Sequence, residues 1–309
     1  MKQWMLGLPL ALTITGSAFA GEADQWLERM ADALSQTDYQ GTLVYLDGSR
    51  METLKVYRSA QDSRERLVVL TGAHREIVRD GDTLICIGAG DPTVAYEGSP
   101  LARWEETVNA AQSGMLSEYE LVLGDSERVA GYDTQVLALR PHDALRYGYR
   151  LWLESETGLP LRIVLEDGDN GKQPLEQLMF TEVQVGVTPA AGDLRPSIPD
   201  FNRHYSLGSP TAGAVDVAWS VKNVPAGFVL RSQRHTDAGD HLVYSDGLAS
   251  VSVYVEPHAG KAQKSSASRA GAVHARAFAL GDRRVFVIGK VPAATIERFA
   301  RGVVAADPR

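Results

Sequence analysis

The chain has one cysteine, Cys86, so no internal disulfide can form. Cys86 lies in the apolar strand Thr83–Ile87 and is expected to be a buried small hydrophobe, not a nucleophile. Past the first twenty residues no long apolar run remains, so no further segment reads as a membrane span. Catalytic signatures are missing too: there is no Gly-x-Ser-x-Gly elbow and no His-Glu-x-x-His. Gly88-Ala89-Gly90 follows a strand but lacks the third glycine and the helix of a dinucleotide loop. Asp167-Gly168-Asp169-Asn170-Gly171-Lys172 lacks the glycine at position six and the glutamate at twelve of a calcium loop, and reads as a turn. Seven histidines are scattered, and only His235, Asp237, Asp240 and His241 cluster, in a polar loop read as solvated. No metal and no cofactor are therefore expected. Basic excess is lacking as well: 31 Lys and Arg face 39 Asp and Glu, a net charge of −8, which argues against nucleic acid. The absences point to a binding protein, not an enzyme.

What is present begins with an export signal. Lys2 is followed by the apolar Trp4–Thr15 and by Ala18-Phe19-Ala20, an A-x-A site, so residues 1–20 read as a signal peptide cleaved after Ala20. No cysteine stands at that site to carry a lipid anchor, and a periplasmic location follows. Leu27, Met30, Ala31 and Leu34 then mark one apolar helix face. Short strands follow: Tyr39–Tyr45, Thr53–Tyr57, Arg66–Leu70, Glu76–Arg79 and Thr83–Ile87, with Asp80-Gly81-Asp82 as a hairpin turn. Leu101, Trp104 and Val108 recur at helical spacing, so one or two helices are expected over 101–116. Strands resume at Tyr132–Leu139, Tyr147–Leu153, Leu161–Leu165 and Leu175–Val187. The Pro-rich span 188–211 places a linker at 206–213, between domains 21–205 and 214–309.

The second domain contains a clear hairpin. Leu242–Tyr244 and Val251–Val255 flank Ser245-Asp246-Gly247, and Val251, Val253 and Val255 share a face. Directly after it, 257–280 holds no acid but Lys261, Lys264, Arg269 and Arg276. That segment reads as a solvated loop or as a contact for an acidic peptide or a lipid phosphate. A terminal helix starts at Pro292, with Ile296, Phe299, Ala300, Val303 and Val304 in one stripe.

The wording YSDGLASVSVYVE, from Tyr244, resembles the RseB/MucB family of periplasmic regulators of the sigma-E envelope stress response. Tyr39–Tyr45, Arg64–Leu67, His74–Asp82, Arg128–Tyr132, Arg146–Leu153, Thr157–Leu161, Val224–Phe228, Gly271–Val273 and Gly289–Pro292 are similar to it in the same order. The segments around Thr71-Gly72-Ala73 and Gly88-Ala89-Gly90-Asp91 depart from the family wording. The resemblance implies a mainly β chain of α+β type. Its first domain would be an incomplete antiparallel β-barrel like LolA and LolB, with helices in the concavity; its second, a smaller sheet with one packing helix. It implies binding to the periplasmic part of a membrane-spanning anti-sigma factor of RseA/MucA type, shielding it from proteolysis. Lipid-bearing signals, lipopolysaccharide or mislocalised lipoprotein, would release the shield. An open apolar barrel could take an acyl chain at about 0.8 kcal/mol per buried methylene. Partner contact is expected at Tyr244, Ser245, Asp246, Gly247, Lys261, Lys264 and Arg269, and a lipid cavity at Trp104, Leu116 and Trp152. A homo-oligomer is compatible with all of this. The alternatives are a plain lipoprotein carrier of LolA/LolB type, against which the second domain argues, and an exported hydrolase, for which no residue pattern speaks.

Overall fold

The computed structural model describes residues 16–48, 50–81, 83–88, 116–168, 174–198, 204–206, 217–258 and 265–306. It opens with helix α1 (Gly16–Gln36), which starts upstream of the expected apolar face and runs through Gly21, since no proline interrupts that stretch. Eleven strands follow: β1 (Tyr39–Asp47), β2 (Arg50–Ser59), β3 (Arg64–Val69), β4 (Arg75–Asp80), β5 (Thr83–Ile87), β6 (Tyr119–Val129), β7 (Tyr132–Pro141), β8 (Gly148–Glu154), β9 (Pro160–Glu166), β10 (Glu176–Val185) and β11 (His204–Ser206). They form one sheet in the order β11-β5-β4-β3-β2-β1-β10-β9-β8-β7-β6. Every neighbouring pair is antiparallel, and β6 and β11 are left as edges, so the sheet does not close.

Helix α1 lies on one face of this sheet. Its Ala23, Leu27 and Met30 pack with Leu137, Leu139, Leu151 and Leu153, which alternate along β7 and β8 as a half-buried strand requires. Arg29 fastens it to the β8–β9 turn by donating to the Ser155 and Glu156 carbonyls at 2.7 and 2.8 Å. The expected helices over 101–116, and with them Trp104, lie outside the described residues, except Leu116.

The second domain holds β12 (Trp219–Val221), β13 (Val229–Thr236), β14 (Gly239–Ser245), β15 (Ser250–Pro257), β16 (Ser266–Ala270), β17 (Val273–Leu280), β18 (Arg283–Gly289), α2 (Ala293–Gly302) and β19 (Val303–Ala305). Six strands form an antiparallel sheet, β13-β14-β15-β18-β17-β16, and β12 pairs with β19 in a separate ribbon. Helix α2 covers one face with Ile296, Phe299 and Ala300 against Leu242, Val251, Val253, Val285 and Val287. The helix ends at Gly302, before the expected stripe is complete: Val303 turns extended (φ −66°, ψ 121°) to pair with Val221. A side chain at Gly302 would lie 2.2 Å from the Lys222 carbonyl, so only glycine permits this crossing.

Candidate functional site

The most deeply buried ion pair lies at the seam between the two sheets. The β14–β15 hairpin forms as its alternation predicts, with Tyr244 opposite Val251 and Ser245 opposite Ser250. Its turn is the four residues Asp246–Ala249. The Asp246 Oδ1 accepts from the Leu248 and Ala249 amides at 3.0 and 2.7 Å, and Gly247 takes φ +104°. Leu248, at the tip, is buried in the core of the first domain. Tyr149 also donates to its carbonyl at 3.3 Å.

The free oxygen of Asp246 faces Arg146, which precedes β8. The two side chains are both 0 % exposed and 2.8 Å apart. Arg146 is bonded on all sides: two bonds of 3.0 Å to Asp143, one of 2.7 Å to the Ala226 carbonyl, and its plane sits between the Tyr119 and Phe228 rings. Burial works against the Arg146 charge, but the bonds to Asp143 and the charge of Asp246 outweigh it and raise its pKa. Burial pushes the Asp246 carboxyl up, against its backbone amides and Arg146. Tyr119 donates to Asp246 at 3.3 Å, and burial raises its phenol strongly.

More contacts extend the seam. Thr295 at the start of α2 donates to the Leu145 carbonyl. The Lys290 ammonium pairs with Glu176 on β10. Tyr147 meets His274 at 3.4 Å and packs on Ala272. Chemically, this is a fastener: its charges are satisfied largely by each other and by backbone carbonyls and amides.

Among the expected site residues, Asp246 and Gly247 lie in the turn at this seam, whereas Tyr244 packs on Phe299 in the second domain's own core and is 5 % exposed. The Ser245 Oγ accepts from the Gly247 amide at 3.0 Å, within its own turn. Arg269, on the exposed strand β16, donates to the Gly271 carbonyl at 2.9 Å. Lys261 and Lys264 lie outside the described residues. Leu116 is half-buried beside the α1 cluster, whereas Trp152 points to the opposite sheet face from Leu151 and Leu153. There Trp152 is capped by Arg162 at 4.1 Å and donates to Glu127 at 2.9 Å. The structure does not bring these two lipid-cavity candidates together.

Arg146, Asp143 and Tyr119 were not singled out from sequence. The usable signal was an Arg opening an otherwise apolar strand, matched by an Asp between two apolar runs. Around His235 the structure shows pairing with Asp240 at 2.5 Å, and His241 stacks on Tyr254 at 4.1 Å between Arg234 and Ser252. Among the described residues, no group of three or more His, Cys, Asp or Glu could hold a metal ion. Cys86 is buried, which pushes its thiol up.

Family models of the MucB/RseB N-terminal and C-terminal domains match residues 22–198 and 214–304. The chain is 33% identical over 315 residues to the sigma factor AlgU regulatory protein MucB of Pseudomonas aeruginosa, covering 97% of this chain and 95% of that protein. It overlays the solved Pseudomonas aeruginosa MucA/MucB complex with a TM-score of 0.76 at 32% identity, over 93% of this chain and 100% of the other. The crystal structure of MucB alone, at 32% identity, gives 0.64 over 94% and 99%.

Proposed function

Because the chain belongs to the MucB/RseB family, we propose that it binds the periplasmic segment of a membrane-spanning anti-sigma factor and shields it from regulated proteolysis. The observation that carries this is the overlay with the MucA/MucB complex across nearly the whole of both chains. The same relative without its partner overlays less closely at equal identity and similar coverage. The role is regulatory binding, and no residue is assigned a catalytic step.

The finer proposal is that the chain works in the periplasm after cleavage behind Ala20, and that a lipid-bearing signal favours release. An acyl contact of about ten methylenes is worth on the order of 8 kcal/mol before ordering losses, enough to shift a two-state equilibrium. The unclosed first sheet and the half-buried Leu116 are where such a chain is proposed to enter. Contact by the Tyr244–Gly247 turn with a partner would require the buried Asp246 to leave Arg146, so we place partner contact on the surfaces flanking the seam.

The test is crosslinking of the mature protein to the anti-sigma periplasmic segment, with and without lipopolysaccharide. Capture that lipopolysaccharide reduces is expected. Absence of capture by the full mature protein would sink the reading, and capture indifferent to lipid would remove only the release step.

A further inference from the structure

A second charged site lies on the second domain, away from the buried pair. Where α2 ends and β12 runs into the Lys222–Asn223 turn, an open cavity of about 500 Å³ forms, a size typical of ligand sites. Three cations reach it: Lys222 from the turn, and Arg298 and Arg301 from α2. The turn is held by Asn223 in the left-handed region (φ 57°) and by Arg298, which donates to the Asn223 carbonyl at 3.1 Å.

The negative charge that would balance them is committed elsewhere. Glu297 is the one acid in the wall among the described residues, and it pairs with Arg276 on β17. Asp143, whose carboxyl also senses Arg298, is bonded twice to Arg146. Among the described residues, the side chains of Lys222 and Arg301 have no ion pair or hydrogen bond. The helix dipole explains a basic residue in the last turn, Arg301, but not Lys222 on another element. Three cations converging on one concavity, in a chain of net charge −8, are a local field of the opposite sign.

We infer that this cavity is a carboxylate-binding site that receives an acidic side chain of the partner segment. The wall favours a peptide over a lipid headgroup: among the described residues, Ala294 and Gly302 are its only apolar ones, and no Leu, Ile, Val, Phe or Met lines it to take an acyl chain beside the charges. The inference rests on the proposed anti-sigma partner and locates one point of its grip.

Calorimetric titration of the mature full chain with the anti-sigma periplasmic segment tests it. The variant Lys222→Gln/Arg298→Gln/Arg301→Gln should bind about tenfold more weakly at roughly 0.05 M salt while still unfolding cooperatively, with at most a small fall in thermal midpoint from the lost Arg298 bond to the Asn223 carbonyl. The gap should close towards about 1 M salt, where exposed charges are screened. Should the triple variant fail to fold, Arg301→Gln alone should weaken binding about twofold. Unchanged affinity in a folded variant overturns the site. So does a loss seen only with lipopolysaccharide vesicles, or equal competition by inorganic phosphate, either of which would mark a phosphate site instead. A wild-type chain that binds no segment overturns the proposed partner itself, an outcome distinct from wild-type binding that the variants leave intact.

Discussion

Arg146 and Asp246 illustrate how a buried charge pair is judged by what happens when half of it goes. Removing Asp246 leaves a guanidinium with no exposed surface, a far larger penalty than the pair's net worth. Asp246→Ala is expected to lose about 3–5 kcal/mol, read from the denaturant midpoint. Arg146→Met with Asp246→Leu should recover part of that loss: neither fully buried charge remains, although Asp143 and the Leu248 and Ala249 amides lose their partners. His241 makes a different prediction. Burial, then the neighbouring Arg234, lowers its pKa to about 4 from 6.5. Its Nδ1 accepts from Arg234, so the folded protein holds the neutral ring. Protonation therefore favours the unfolded chain. This contribution is complete above pH 6.5 and is lost as pH falls towards 4, by up to about 3 kcal/mol. His241→Phe should flatten the stability profile between pH 7 and pH 5, as measured by urea titration. A profile as steep as the parent's would assign the acid sensitivity to other groups, such as Asp143 and Glu76, whose ion pairs weaken only at lower pH.

At the scale of elements, strands with one buried face were legible because alternation and turn residues coincide. The β14–β15 hairpin and the β4–β5 turn at Gly81 follow directly from Asp-Gly pairs. Strands β6 and β16 were not. Both are edges, β6 carries Gly124 and a bulge, β16 is exposed throughout, and neither shows the alternation that betrays a core face. The site was half legible: Asp246 could be read as a turn former, but its partner lies a hundred residues earlier, and no local pattern carries that distance. Two glycines sharpen the reading of turns. Gly158 has φ +86°, and a Cβ there would lie 2.9 Å from the Arg29 carbonyl carbon. Gly158→Ala should cost about 1–3 kcal/mol and loosen α1 from the sheet. Gly81 has φ +57° with open space around it, so Gly81→Asn should stay within about 0.5 kcal/mol in the same thermal melt.

The whole molecule behaves as two cores joined by one seam. Leu248 bridges them, since it belongs to the second domain by sequence and to the first domain's core by contact. Leu248→Asp should separate the domains without unfolding either. Small-angle scattering would then report a larger radius of gyration, and melting would split into two transitions; a single transition at the parent's dimensions would show that the remaining contacts suffice. The pairing of β1 with β10 carries another consequence. Tyr39 pairs with Arg58 on the next strand, but its partner on the other side is Val185, so the two halves of the large sheet meet at a joint between its earliest and its latest long strands. A ribosome or a translocation channel releases these strands far apart in time, and the first domain cannot complete its sheet until β10 emerges. Slow, late closure of this kind keeps a chain threadable, which would suit the export proposed for it.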